Sequence, residues 1–396
     1  MQAVILAAGE GTRLRPFTLT RPKVMLPVGN RPILEFVVES LVANGVRDIV
    51  MVVGYHKERI MSFFGDGSKF GARISYVVQD KQLGTGHAMM YLKGVVKGRF
   101  LLLPGDNIVD KEAVAALLTI NEGSAVLVTE SDEPSKYGVV ELSQGRVVQI
   151  HEKPRETVGN IINTGLYNFQ GDILPLIEHE VKQGKYGITE ALQGVLKRMD
   201  LSGIRLRGRW EDAVYPWDLV RLNEIALESG GQDINGTIEP GATIKGPVRI
   251  GKGTKIRSGC YVEGPVVIGE GCDIGPSVSI MPSTSIGNGT NIDPFTCIKN
   301  SIIMANVNIG SHSNICQSVI DDSVRIASNF AATCGDANVQ IEKQWHSVDN
   351  IGCMVGEETS IGAGAIVSSG SIIGSSCRIG NGAKVSGYLE NRSIVI

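Results

Sequence analysis

The sequence predicts two architectures in one chain: an α/β domain with a mostly parallel sheet over residues 1–229, then a parallel β-helix of hexapeptide repeats over residues 230–396. Three observations carry this expectation. Apolar runs of strand length alternate with helical patterns as far as residue 228. Leucine then all but vanishes, Leu389 being the only one beyond residue 230, while isoleucine and valine persist. Finally, β-branched residues recur at every sixth position from Ile238 onward. Losing a strong helix former while keeping β-branched residues means strands and turns. A short fixed period means a solenoid whose coils bury their apolar face only against one another.

The first strand is the apolar run Ala3 to Ala7, whose length and bounding glycines suit a strand buried on both faces. Pro32 opens a helical pattern through Leu34, Val37, Val38 and Leu41 that Gly45 stops. Strands are expected at Ile49 to Val53, Ile74 to Gln79, Phe100 to Pro104 and Ala125 to Thr129, with a helix between Asp110 as its cap and Gly123 as its terminator. Strands alternating with helices imply βαβ units, and ligands then gather beyond the carboxyl ends of the strands. The last helix is Asp218 to Glu228, and Ser229-Gly230-Gly231 reads as a linker. Beyond it the repeat runs from Ile238 to Ile298, slips before Ile303 and before Ile320, breaks between Thr333 and Met354, and resumes at Val355.

At 396 residues the chain can bury two cores, and a formal net charge of −3 gives no hint of nucleic-acid or membrane partners. No basic leader and no apolar run of membrane length is present, so a cytoplasmic protein is expected. The seven cysteines are scattered, with no Cys-x-x-Cys pair, which argues for reduced thiols and against a zinc site. Cys260, Cys272 and Cys377 fall in the small-residue slot of the repeat and read as packing residues.

Chemistry concentrates after the first strand. Gly9, Glu10, Gly11, Thr12 and Arg13 follow it directly, and Lys23 lies in the same short segment. Glycines there allow close backbone approach, and successive N–H groups can cradle phosphate oxygens. A dinucleotide fingerprint would need glycine where Leu14 stands, and no Gly-Lys-Ser/Thr closes a Walker loop. The segment Leu6-Ala7-Ala8-Gly9-Glu10-Gly11-Thr12-Arg13-Leu14-Arg15-Pro16, followed by Arg21-Pro22-Lys23 and Pro27, is similar to the signature of sugar-1-phosphate nucleotidylyltransferases.

With both halves read, the chain resembles the N-acetylglucosamine-1-phosphate uridylyltransferase class, in particular its archaeal bifunctional members. The resemblance implies a Rossmann-like nucleotidyltransferase domain, a left-handed β-helix, and a homotrimer or dimer of trimers formed through that helix. It implies transfer of a nucleotidyl group from UTP or dTTP to glucose-1-phosphate or N-acetylglucosamine-1-phosphate, with Mg²⁺ and release of pyrophosphate. Carried onto this sequence, it implies Leu6, Ala8, Gly9, Gly11, Thr12, Gln79, Gly84 and Thr85 for the nucleotide, and Gly138, Glu152 and Asn163 for the sugar. Arg13, Lys23 and Lys153 are the expected catalytic cations, and Asp106 and Asp212 the metal carboxylates. For phosphoryl transfer, in which positioning and charge neutralisation dominate, these residue types are apt. Two hard oxygen ligands completed by phosphates and water suit Mg²⁺.

Two other activities stay open at this level. The β-helix of bifunctional relatives carries an acetyl-CoA-dependent glucosamine-1-phosphate N-acetyltransferase site with a histidine base. Here the matching stretch is Ser311-His312-Ser313-Asn314, and Cys334 stands where the family has asparagine. His346 is the other candidate. A non-catalytic regulatory or assembly subunit of the same plan is the second alternative, although such proteins tend to lose the loop Arg, the Lys or the metal Asp that this chain retains.

Overall fold

The computed structural model describes residues 1–154, 156, 158–228 and 230–396, so Ser229 of the expected linker lies outside the described residues. The chain forms two compact units: Met1–Glu10, Arg21–Met25 and Ile33–Asp212 in the first, and Gly11–Thr20, Leu26–Pro32 and Ala213–Ile396 in the second.

The first unit is built on a nine-stranded sheet. In chain order its strands are β1 Gln2–Ala7, β2 Asp48–Val53, β3 Arg73–Val78 and β4 Phe100–Pro104. After β5 (Asn107–Val109), which lies outside that sheet, come β6 Ser124–Glu130, β7 Gly138–Ser143, β8 Arg146–Glu152, β9 Ile161–Phe169 and β10 Leu201–Arg205. The spatial order is β3-β2-β1-β4-β9-β6-β10-β8-β7. The pairings β1 with β2 and β4, β2 with β3, and β6 with β10 are parallel, whereas β9 and β8 run against their neighbours. The sheet is thus mostly parallel in strand direction, as the alternating pattern implies.

Period-two alternation explains how both faces are covered. Ala3, Ile5, Ala7, Ile49, Met51 and Val53 meet one set of helices: α1 (Ile33–Ala43), α2 (Lys57–Phe64) and α4 (Lys111–Leu118). Val4, Val50, Val52 and Leu102 meet the other set: α3 (Thr85–Met90), α5 (Ile173–Lys182) and α6 (Ile188–Val195). A strand buried on both sides reads as a continuous apolar run, which is what β1, β2 and β4 are.

One boundary needs correction. Helix α4 ends at Leu118, not at Gly123, with the Thr119 hydroxyl donating to Ala116 O at 2.7 Å. Gly123, at φ +64°, instead turns the chain into β6. Asp110 does precede α4, but its carboxylate accepts from Arg209 N–H (3.0 Å) and makes no side-chain cap.

In the second unit, α7 (Asp218–Glu228) precedes three sheets of short parallel strands with nine, nine and eight members. Register is set by the repeat: Ile250 pairs with Ile268, Ile268 with Ile286, and Ile286 with Ile303. The stacked inward residues form one apolar column from Val248 to Val385, consistent with the left-handed parallel β-helix that the resemblance implies. Where the repeat breaks, the chain leaves the coil as an antiparallel hairpin, β12 (Gly335–Ile341) and β13 (Gln344–Ile351), turning at Glu342 and Lys343. Coil stacking also corrects the reading of the cysteines. Cys316 and Cys334 lie one coil apart with Cα atoms 5.9 Å from each other and are disulfide-bonded, a closeness that linear scatter conceals. The other five are free. Among the described residues no helix is long and apolar enough to cross a membrane.

Candidate active site

The carboxyl edge of β1 and β4 carries the first group of expected residues. Gly105 N–H donates to Leu6 O (2.9 Å), and a Cβ on Gly105 would stand 3.1 Å from that oxygen, so glycine lets the two strand ends close up. Next in the chain, Asp106 Oδ2 lies 2.5 Å from Lys23 Nζ, with both side chains largely buried. Ala8 is buried, its carbonyl accepting from Tyr55 N–H (3.1 Å). A Cβ on Gly9 would meet nothing within 4 Å, which leaves room for a ligand against the backbone.

Asp106 and Asp212 are brought together by a two-stranded ladder. Strand β5 pairs with β11 (Trp210–Asp212), setting Asp212 opposite Asn107, the neighbour of Asp106. The Asn107 amide, oriented to satisfy both sides, donates to Asp106 Oδ1 (2.9 Å) and accepts from Trp210 Nε1 (2.7 Å). Tyr137 Oη donates to Asp212 Oδ1 at 2.8 Å, and its ring meets Trp210 edge-on. Among the described residues no cluster of three or more His, Cys, Asp or Glu could hold a metal. A pair of aspartates is the donor set of a hard cation that takes its remaining ligands from substrate phosphates and water, so these residues fit Mg²⁺.

The sugar-side residues continue from Tyr137. Gly138 pairs with Glu152 across β7 and β8, and Lys153 N–H donates to Tyr137 O (3.1 Å). Lys153 Nζ stands 4.0 Å from Glu152 Oε1, both side chains being exposed. A Cβ on Gly138 would lie 2.9 Å from Thr189 Cγ2, at the start of α6. The buried Asn163 amide donates to Tyr167 Oη and accepts from Gly165 N–H (2.8 Å). Burial pushes the Tyr167 phenol far above its ordinary range, so it stays neutral and able to accept.

The expected base-reading segment forms a second group on β3 and α3. Gln79 is 3 % exposed, and its Nε2 donates to Gly84 O at 3.2 Å. Thr85 Oγ1 accepts from Ile188 N–H at 3.0 Å. The first turn of α6 therefore touches both Thr85 and Gly138, and ties the segments that carry them together.

Gly11, Thr12 and Arg13 belong to the second compact unit. Gly11 (φ +73°) adopts a left-handed conformation that favours glycine. Arg13 Nε donates to Glu342 Oε2 at 2.9 Å and Thr12 Oγ1 to Glu342 Oε1 at 3.3 Å. Sequence reasoning missed this partner; the one signal for it was the break in the repeat. It also missed Asn107 and Trp210. At the expected acetyl-transfer position His312 packs on Phe295, with ring centroids 5.0 Å apart, and Cys334 is tied up in the disulfide. His346 packs on Tyr215 and Trp217.

A carboxylate pair, an adjoining lysine and Gly9 with room beside it, at the carboxyl edge of a mostly parallel sheet, fit an enzyme of nucleotidyl transfer. The chain belongs to the nucleotidyl transferase family, whose model it matches over residues 2–228, and is a GlmU-like sugar-1-phosphate nucleotidyltransferase. Residues 262–344 match a second model, the GMPPB C-terminal domain. The chain is 40 % identical over 91 % of its length, and 89 % of the relative's, to a bifunctional protein GlmU of Methanococcus maripaludis strain C7. With the protein of that name from strain S2 the identity is 37 %, over 65 % of this chain and 62 % of the relative. The crystal structure of a putative glucose-1-phosphate thymidylyltransferase from Bacillus anthracis in complex with a sucrose superposes with TM-score 0.54 at 31 % identity, over 59 % of this chain and 98 % of that one.

Proposed function

We propose that the chain joins UTP or dTTP to glucose-1-phosphate or N-acetylglucosamine-1-phosphate, forming the nucleotide-sugar and pyrophosphate. The observation that carries this reading is the Lys23–Asp106–Asp212 arrangement at the strand ends, with Lys23 within 2.5 Å of Asp106. Asp106 and Asp212 would hold Mg²⁺, which when bound neutralises phosphate charge. Leu6, Ala8, Gly9, Gly11 and Thr12 line the nucleotide with backbone groups, and Gln79, Gly84 and Thr85 receive its base. Arg13 and Lys23 stabilise charge that develops on the α-phosphate and the leaving pyrophosphate. Lys153 binds the phosphate of the sugar and orients its oxygen for in-line attack. Gly138, Glu152 and Asn163 take the sugar ring, Glu152 accepting from hydroxyls. Residues 1–229 carry this chemistry and residues 230–396 assemble three copies, in the cytoplasm.

The test is a panel of nucleoside triphosphates against sugar-1-phosphates, read by pyrophosphate release. Activity with UTP or dTTP and one of the two sugars is expected, and silence across the panel overturns the proposal. Adding glucosamine-1-phosphate with acetyl-CoA to the panel measures acetyl transfer in the same preparation.

A further inference from the structure

His87 is not one of the residues placed in the site above, yet it holds one that is. The Gln79 Nε2 atom lies 3.2 Å from Gly84 O and 3.0 Å from His87 Nδ1. A carbonyl oxygen can only accept, so the terminal atom of Gln79 that faces Gly84 is the amide nitrogen. The same nitrogen faces His87 Nδ1, which is then the unprotonated acceptor, with the ring proton on Nε2. Both hydrogens of the amide are committed, and Oε1 is the half left for a ligand.

The histidine is itself fixed. Its backbone N–H donates to Tyr186 O (3.0 Å), and its ring meets Tyr91 and Tyr186 edge-on at centroid distances of 5.3 and 6.2 Å. The glycines around it allow that approach. A Cβ on Gly84, at φ +154°, would stand 2.5 Å from Tyr186 O, and one on Gly86 would stand 2.9 Å from it. Gln79 is anchored from the strand side, its N–H donating to Val53 O (2.8 Å).

We propose that His87 is a positioning residue that locks the Gln79 amide with Oε1 toward the base, and so selects bases bearing an N3–H donor. Uracil and thymine have that donor, whereas cytosine presents an acceptor at N3. The inference rests on the reading that Gln79 meets the base. Freed from His87, the amide retains only its longer bond to Gly84 O and can turn its nitrogen to the ligand, which suits cytosine. A site built around one hydrogen-bond pattern rejects the opposite pattern strongly because a buried polar group is left unpaired.

The experiment measures kcat/KM for UTP, dTTP and CTP with the full chain and its best sugar-1-phosphate. His87→Phe should narrow the preference for UTP over CTP about tenfold, mostly through KM for UTP. His87→Asn returns an acceptor near the position of Nδ1 and should restore the preference to within about threefold, which a merely space-filling histidine does not predict. A His87→Phe chain that keeps the full preference overturns the lock, as does a wild-type chain that uses CTP as well as UTP. Gln79→Leu separates the two levels. If it abolishes the preference while His87→Phe does not, only the lock fails; if it leaves the preference intact, the base reading fails and the lock with it. A fourth measurement needs no variant: the imidazole ¹⁵N shifts of His87 should report the Nε2–H tautomer, and an Nδ1–H tautomer overturns the proposal.

Discussion

At the scale of single residues, the proposed triphosphate site turns on the ion pair of Lys23 and Asp106. Two opposite charges 2.5 Å apart, with side chains 15 % and 28 % exposed, are costly to hold away from water unless something else uses them. Lys23→Ala removes one preorganised cation and should cost about 3 kcal/mol of barrier, a drop of roughly two orders of magnitude in kcat. Pyrophosphate release by the purified variant checks it, and a near-normal rate would remove Lys23 from the transition state. Arg13 poses the complementary case. Its guanidinium is joined to Glu342, a carboxylate that occupies it as a phosphate oxygen would. An exposed pair of this kind is worth at most about 1 kcal/mol. Glu342→Gln should therefore lower KM for the nucleoside triphosphate by about two- to fivefold with kcat little changed; an unaltered KM would mean that Arg13 does not meet the triphosphate. As candidates, Lys23, Arg13 and both aspartates can be named from the sequence because they lie in or beside contiguous motif residues. Glu342 cannot, since nothing local to it says which distant side chain it will face.

Among the elements, α5 and α6 show a contact that no pattern announces. Glu180 sits in α5 at 4 % exposure, joined to Lys185 Nζ at 2.6 Å. Gly194 in α6 makes room for it, because a Cβ there would stand 2.0 Å from Glu180 Oε2. In sequence Gly194 looks like a weak helix position, while in space it is the hole that admits a buried carboxylate. The hydrogen bond from Lys185 holds the Glu180 carboxyl below its ordinary range despite its burial. A depressed carboxylate contributes stability that is fully present above the ordinary glutamate range and is lost as pH falls through the folded value. Lys185→Met should destabilise the unit by about 1.5–3 kcal/mol at neutral pH, the scale for a hydrogen bond to a charged group. The gap between variant and wild type should shrink below about pH 4. Denaturant melts at two pH values check it, and a gap independent of pH would detach Glu180 from the effect. The β-helix strands are the opposite case. They were legible almost residue by residue, because inward isoleucines stack on themselves and the period alone sets the register.

For the molecule as a whole, the sharp change of composition after residue 228 is visible in the sequence, but the membership of the glycine loop is not. Gly11–Thr20 and Leu26–Pro32 cluster with Ala213–Ile396 and not with the strands that flank them in the chain. Pattern reading assigns a loop to its sequence neighbours, and only packing reveals another allegiance. Here the allegiance is carried by named contacts: Thr20 Oγ1 to Glu357 Oε2 at 2.9 Å and Asn30 Nδ2 to Ile286 O at 2.7 Å. Leu14 and Phe17 are each 1 % exposed within the same loop. Each fully buried apolar side chain of this kind contributes about 1.5–3 kcal/mol. A chain cut after residue 229 keeps every strand of the nine-stranded sheet, but its loop loses these partners. Its sheet and helices should therefore fold while the loop that carries Gly11, Thr12 and Arg13 is left without its support. Circular dichroism should show retained helix and strand, and KM for the nucleoside triphosphate should rise by about tenfold or more, the equivalent of losing about 1.4 kcal/mol of binding. Equal KM values for the fragment and the full chain would mean that the loop orders itself around the nucleotide without the β-helix unit, and would confine that unit to assembly.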